Sequence, residues 1–228
     1  MERFGFVGLP NAGKSSLFNA LAGGGALAAP YAFATTDPNV GVVKVPDHRL
    51  DALAEMSKSK KVVNSTTEFV DIGGLVEGAS QGEGLGNKFL AGIREVDALV
   101  LVLRTFSDAD VPGPTDPLEH LRVVEIELTL ADLETVESRI DRRQKALRAD
   151  PRDPGLVAEV DALEAALESL SDGTPLYRAA LSKDRRLALR EHFLLTNKPV
   201  MAVLNIGEDQ LGEGSELAEE LGEALPES

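Results

Sequence analysis

The chain has no cysteine, so disulfides, thiolate nucleophiles and Cys-ligated zinc are all excluded. Aromatic residues make up only 4%, which leaves a core to be built from Leu, Val, Ile and Ala. Positive charge is scarce: 23 Lys and Arg stand against 38 Asp and Glu, a net charge of −15. Such a surface has no general attraction for nucleic acid, because displacing counterions from phosphates needs basic patches. DNA is therefore not expected as a partner, while RNA stays open through a local patch. No run approaches the ~20 apolar residues needed to cross a membrane, and an apolar strand pattern begins almost at the N-terminus. No membrane association and a cytoplasmic location are the expectation. The 228 residues suffice for one large domain or two small ones.

What the chain does have is the run Gly8-Leu9-Pro10-Asn11-Ala12-Gly13-Lys14-Ser15-Ser16. It matches the phosphate-binding pattern G-x-x-x-x-G-K-[ST] in full. Glycines let the backbone turn so that amides, here those of Asn11, Ala12, Gly13, Lys14, Ser15 and Ser16, aim at phosphate oxygens. Lys14 supplies a mobile charge for the outer phosphates, and the Ser15 hydroxyl suits magnesium. The apolar run Phe4-Gly5-Phe6-Val7 precedes the loop, and Ser16-Leu17-Phe18-Asn19-Ala20-Leu21-Ala22 follows at helical spacing. Strand, loop and helix are the setting this chemistry requires. The rival is a glycine-rich turn in an unrelated fold.

Further strands are expected at 40–46, 67–72, 98–103 and 198–204. Strands that are apolar on both faces and alternate with helices predict an α/β fold with a mostly parallel sheet. From residue 118 the period changes. Ile126, Leu130, Leu133, Val136 and Ile140 recur at helical spacing, and so do Leu156, Val160, Leu163, Leu167 and Leu170 after the turn Asp150-Pro151-Arg152-Asp153-Pro154. This predicts a helical hairpin packed as a short antiparallel coiled coil, with its charged faces solvated. A third helix is expected at 183–193 and a last one at 215–225. The division that follows is a nucleotide-binding unit of 1–117 plus 197–228, lacking a terminal strand, interrupted by a helical insertion at 118–196.

Three more motifs lie in the order a nucleotide switch needs. In Phe33-Ala34-Thr35-Thr36-Asp37-Pro38-Asn39 a threonine can ligate magnesium and sense the γ-phosphate through its N–H. Thr35 is the choice, with Thr36 left open; in isolation the stretch also reads as an ordinary threonine loop. In Asp71-Ile72-Gly73-Gly74, Asp71 can support magnesium, and Gly74 allows its N–H to approach the γ-phosphate. In Asn205-Ile206-Gly207-Glu208, past an apolar strand, base-reading side chains are expected. The familiar guanine reader there is Asn-Lys-x-Asp. Ile206 in place of lysine and Glu208 in place of aspartate weaken guanine selection and make adenine plausible.

These residues resemble the Obg-like ATPases of the YchF type, within the translation-factor-related P-loop GTPases. The resemblance rests on the four motifs, on Gly82-Glu83-Gly84-Leu85-Gly86-Asn87-Lys88-Phe89-Leu90 with Ile93-Arg94-Glu95-Val96-Asp97, and on Glu127-Leu128-Thr129-Leu130-Ala131-Asp132-Leu133-Glu134. It implies ATP binding in preference to GTP, slow hydrolysis, a coiled-coil insertion and association with the ribosome or its large subunit. Some relatives also use an asparagine like Asn11 to coordinate potassium beside the phosphates; otherwise it stabilises the turn. The chain departs from the pattern in several places. Leu75 stands where many GTPases carry a water-orienting glutamine, and a leucine cannot hold water. The stretch 106–114 lacks the histidine suggested for that task in the family, and His120 lies in the next helix, where a solvated side chain is expected. Ala34 replaces a cysteine of many relatives. The family's ubiquitin-like C-terminal domain and its further base-binding loop with a Ser-Ala pair are not in this sequence.

The expected function is a magnesium-dependent ATPase with Lys14, Thr35 and Gly74 at the reaction. Asn11 to Ser16 hold the phosphates, Asn205, Ile206 and Glu208 contact the base, and Ser15, Thr35 and Asp71 bind the metal. The alternatives are a nucleotide-gated binding module without significant turnover and a GTP-preferring GTPase. A small-molecule kinase is disfavoured, because no arginine-rich lid is visible.

Overall fold

The structure, a computed structural model, describes residues 1–23, 39–72, 85–107, 113–212 and 214–225. Strands β1 (Arg3–Val7), β2 (Asn39–Lys44), β3 (Thr66–Asp71), β4 (Ala98–Arg104) and β5 (Val200–Asn205) form one sheet in the order β2-β3-β1-β4-β5. β1 pairs in parallel with β3 and β4, β4 pairs in parallel with β5, and the edge strand β2 runs antiparallel to β3. The helices are α1 (Lys14–Gly23), α2 (His48–Ser57), α3 (Leu85–Arg94), α4 (Pro117–Ala149), α5 (Pro154–Ser171), α6 (Lys183–Ala188) and α7 (Gly214–Ala224). This is the α/β architecture with a helical hairpin that the sequence led us to expect.

β4 explains why the sheet is covered on both sides. Leu99, Leu101 and Leu103 enter one core with Val7, Ile93, Leu121, Val124 and Leu128. The alternate residues Val100 and Val102 enter the other with Phe6, Ala12 and Phe18. Both sets are fully buried, so the strand reads as one apolar run with no alternation. At ~2 kcal/mol for each buried Leu or Val, β4 alone contributes a large share of the hydrophobic term.

Two prolines and two aspartates start the hairpin helices. The Asp116 side chain accepts from Leu118 N at 2.9 Å ahead of Pro117, and Asp153 accepts from Gly155 N at 2.8 Å ahead of Pro154. The far half of α4 packs on α5 through Val136 and Ile140 against Leu163, Ala166 and Leu170. The near half does something else. Leu121, Val124, Leu128 and Ala131 turn toward the sheet, while Ile126 is 48% and Leu130 38% exposed. The expectation that Ile126 and Leu130 share the buried stripe with Val136 and Ile140 is therefore corrected. Two apolar stripes run along α4, one toward the sheet in its near half and one toward α5 in its far half.

Other local expectations also change. The helix expected at 183–193 stops at Ala188 and continues as a 3-10 turn over Arg190–His192, closed by Phe193 at a left-handed φ of 53°. His120 is buried, not solvated: its Nε2 lies 2.7 Å from the Pro114 carbonyl, fastening the start of α4 to the preceding loop. α2 was not expected; it buries none of its residues and is started by Asp47, whose side chain accepts from Arg49 N. Finally, Asp132 accepts from Leu195 N at 2.8 Å and from the N–H and hydroxyl of Thr196, each at 2.7 Å. That ties the chain returning from the hairpin to α4 just before β5. Burial raises the Asp132 carboxyl to about 6, outweighing the three donors.

Candidate functional site

The candidate site lies at the carboxyl ends of the parallel strands, where open α/β sheets bind ligands. β1 ends at Val7 and passes into the loop that α1 begins to close at Lys14. Sterics set the shape of that loop. A Cβ on Gly8 would lie 2.5 Å from the Val102 carbonyl oxygen, so the backbone of β4 leaves no room for a side chain. Gly13 has φ +95°, and a Cβ there would collide with Asn205 Nδ2. Asn11 takes a left-handed φ of 62°, which asparagine tolerates better than most residues.

The predicted residues fall into three groups. In the first, the Ser15 hydroxyl donates to Asp71 Oδ2 at 2.7 Å, bridging α1 and the end of β3. Asp71 is buried, and its other oxygen, Oδ1, has no hydrogen-bond partner among the described residues. Lys14 belongs here too. It is buried, its Nζ donates to the Leu9 carbonyl at 2.7 Å, and burial lowers its pKa while the Asp71 carboxylate pulls the other way. In the second group, Asn205 at the end of β5 donates from Nδ2 to the Ala12 carbonyl at 3.0 Å. The strand pairing sets Asn205 beside Arg104, and the next residue, Thr105, donates its N–H to the Asn205 carbonyl at 2.9 Å. Asn205, the first residue of the sequence motif at 205–208, is thus in direct contact with the phosphate-type loop.

The third group is not drawn in. Ile206 lines a groove with Ala202, Leu204, Ala218 and Leu221 against α7, a groove whose lining does not include Asn205. Glu208 is exposed at the start of a 3-10 turn over Glu208–Gln210. Asn11 and Ser16 are exposed around the loop. Thr35 and Gly74 lie outside the described residues. Sequence reasoning missed Thr105, Arg104 and Gln210. Arg104 is fully buried, its Nε donates to the Phe106 carbonyl at 2.9 Å, and its guanidinium sits 4.5 Å over the Phe106 ring. Only Gln210 left a sequence signal, standing three residues past Gly207 where a capping side chain belongs.

Does the site suit magnesium? The donors are a hydroxyl and a carboxylate, hard oxygens of the right kind, and Asp71 Oδ1 is a buried acceptor with no partner among the described residues. Among the described residues no cluster of three or more His, Cys, Asp or Glu could hold a metal without help. Magnesium is usually held by one or two protein oxygens plus substrate phosphates, so these residues fit it.

The family model described as "50S ribosome-binding GTPase" matches residues 3–149 of this chain. The chain is 45% identical over 214 residues to "Ribosome-binding ATPase YchF" of Bacillus subtilis (strain 168), covering 92% of this chain and 58% of that protein. It is 48% identical over 208 residues to the protein of the same name from Haemophilus influenzae, covering 90% of this chain and 57% of that one. Among solved structures, the Schizosaccharomyces pombe YchF GTPase superposes with a TM-score of 0.74 at 33% identity, covering 96% of this chain and 62% of that one. The chain therefore spans less than two thirds of the length of these relatives. No helix among the described residues is long and apolar enough to cross a membrane. With the fold, the ordered motifs and these matches together, the chain belongs to the 50S ribosome-binding GTPase family and, within it, to the YchF type.

Proposed function

We propose that the chain is a magnesium-dependent purine nucleotide switch that binds ATP in preference to GTP, hydrolyses it slowly and works on the ribosome in the cytoplasm. The observation that carries this reading is the convergence of Ser15, Asp71 and Lys14 with Asn205 around one loop. The amides of Asn11 to Ser16 receive the phosphates. Lys14 exchanges the Leu9 carbonyl for phosphate oxygens; a buried ammonium is worth more to an anion there than it would be in water. Ser15, Thr35 and Asp71 hold magnesium, which when bound screens phosphate charge. Gly74 offers its N–H to the γ-phosphate. Asn205 and Glu208 address the base, and Ile206 supports the loop from below. Asn11, exposed and left-handed, is the residue that would face a potassium ion.

The relatives' printed names support ribosome association and leave the nucleotide divided: the bacterial proteins are called ATPases and the S. pombe protein a GTPase. Preference for ATP rests on Glu208 and Ile206 standing where a guanine reader has aspartate and lysine. A second reading, a binding module without turnover, is favoured by Leu75 and by the absence of histidine from 106–114. Single-turnover phosphate release with magnesium separates the two. A rate above buffer that Lys14→Ala abolishes supports the enzyme; a rate equal to buffer supports the module. We also propose 118–196 as the helical insertion of this switch, with the first turns of α4 serving the sheet.

A further inference from the structure

Three hydrogen bonds converge on the side-chain amide of Gln210. Oε1 accepts from the Gly207 N–H at 2.9 Å and from the Thr105 hydroxyl at 3.1 Å, and Nε2 donates to the Thr105 carbonyl at 3.3 Å. A backbone N–H on one side and a carbonyl on the other determine which end of the amide is which. Thr105 is bonded to Asn205 as well: its N–H and its hydroxyl both reach the Asn205 carbonyl, at 2.9 and 3.0 Å. The single hydroxyl proton is shared between Asn205 and Gln210. The loop from Asn205 to Gln210 is thus closed on itself and pinned to the first residue after β4.

This closure has a specific shape. Gly207 precedes the 3-10 turn, and Gln210 is its third residue, reaching back to the Gly207 N–H as the return half of a capping box does. The turn carries Glu208 three residues from Asn205. An exposed carboxylate on a loose loop samples many positions, and fixing each backbone residue costs about 1–2 kcal/mol of entropy. Discrimination between two purines needs the carboxylate and the Asn205 amide held in one relation before the base arrives.

We infer that Gln210, acting through Thr105, is a positioning residue that fixes Asn205 and Glu208 relative to each other and so sets purine selectivity. The inference rests on the base-reading role proposed above. Gln210 combines an acceptor and a donor, which neither alanine nor glutamate does: alanine removes all three bonds, and glutamate sets a carboxylate against the Thr105 carbonyl. None of its partners is Lys14, Ser15 or Asp71, and it reaches the phosphate-type loop only at second hand through Asn205, so its largest effect falls on the base end.

The test titrates the full chain with ATP, GTP and inorganic tripolyphosphate in the presence of magnesium, as wild type and as Gln210→Ala, Thr105→Val and Thr105→Ser. The ATP-to-GTP affinity ratio is expected to fall about five- to tenfold in Gln210→Ala and Thr105→Val, the size of one or two net hydrogen bonds. Tripolyphosphate affinity should stay at the wild-type value, and Thr105→Ser, which keeps the hydroxyl, should retain the wild-type ratio. Thr105→Val carries the test alone if Gln210→Ala does not fold. A ratio unchanged in both variants overturns the inference and leaves the proposed function standing. So does an equal loss for all three ligands, which marks a general structural role. Wild-type protein that binds tripolyphosphate but shows no preference between the nucleotides overturns the base-reading role beneath it.

Discussion

The two ends of the candidate site are built in opposite ways. At the phosphate end, shape follows from exclusion: Gly8 lies against the backbone of β4, Gly13 against Asn205, and Lys14 and Asp71 are buried. At the base end, shape follows from a few side-chain hydrogen bonds around an exposed turn, with Glu208 facing solvent. At Gly8 and Gly13 the first kind of site leaves no room for a side chain. The second can be retuned one residue at a time.

The contrast can be broken most sharply at Lys14. Lys14→Ala removes the one cation buried in the loop, and ATP affinity measured by calorimetry should fall several hundredfold, about 3–4 kcal/mol. The next effect is one of pH and concerns the support of β5. Asp132 is raised to about 6 by burial, against roughly 4 for an unfolded aspartate. The folded state therefore favours the protonated form, so this contribution to stability is full below about pH 4 and lost as pH rises through about 6. Relative to Asp132→Asn, the wild type should gain about 2–3 kcal/mol between pH 7 and pH 4 in denaturant unfolding. A flat difference between the two across that range would remove Asp132 from the account of β5. Smaller again is Gly8→Ala, where the new methyl meets a carbonyl that cannot yield; a loss of about 2 kcal/mol should lower the melting temperature by roughly 4–8 °C. Smallest is Asn205→Ala, which deletes the bond to the Ala12 carbonyl. It should cost ATP about tenfold in affinity and tripolyphosphate little, sharpening the division between the ends.

How much of this was legible before the structure differs by region for physical reasons. The phosphate loop and β4 could be read directly, because glycine sterics and a run buried on both faces are local properties of the chain. The direction in which α4 turns could not. Both of its apolar stripes recur at helical spacing, and the contact with the sheet that buries Leu121, Val124 and Leu128 and leaves Ile126 and Leu130 exposed is tertiary. His120 was misjudged because its burial depends on the Pro114 carbonyl, a contact made by the path of a loop. α2 buries none of its residues, its apolar pattern is short (Leu50, Leu53 and Ala54), and its other signal was the Asp47 cap. At the candidate site, Ser15 and Asp71 were foreseeable as neighbours because one metal was assigned to both, whereas the bond from Asn205 to the Ala12 carbonyl was not, since the sequence assigned these residues to the base and the phosphates separately. The support from Thr105 and Gln210 was not, because it joins the ends of β4 and β5 across a strand pairing that a single sequence does not display.

The claim that the Asn205 turn and the phosphate loop form one nucleotide site is tested most directly by titrating the full chain with ATP and GTP at fixed magnesium, alongside Lys14→Ala. ATP should bind more tightly than GTP, and the variant should bind neither at the same concentrations. Tighter GTP binding would contradict the adenine reading of Glu208. Identical behaviour of the wild type and Lys14→Ala would contradict the site itself.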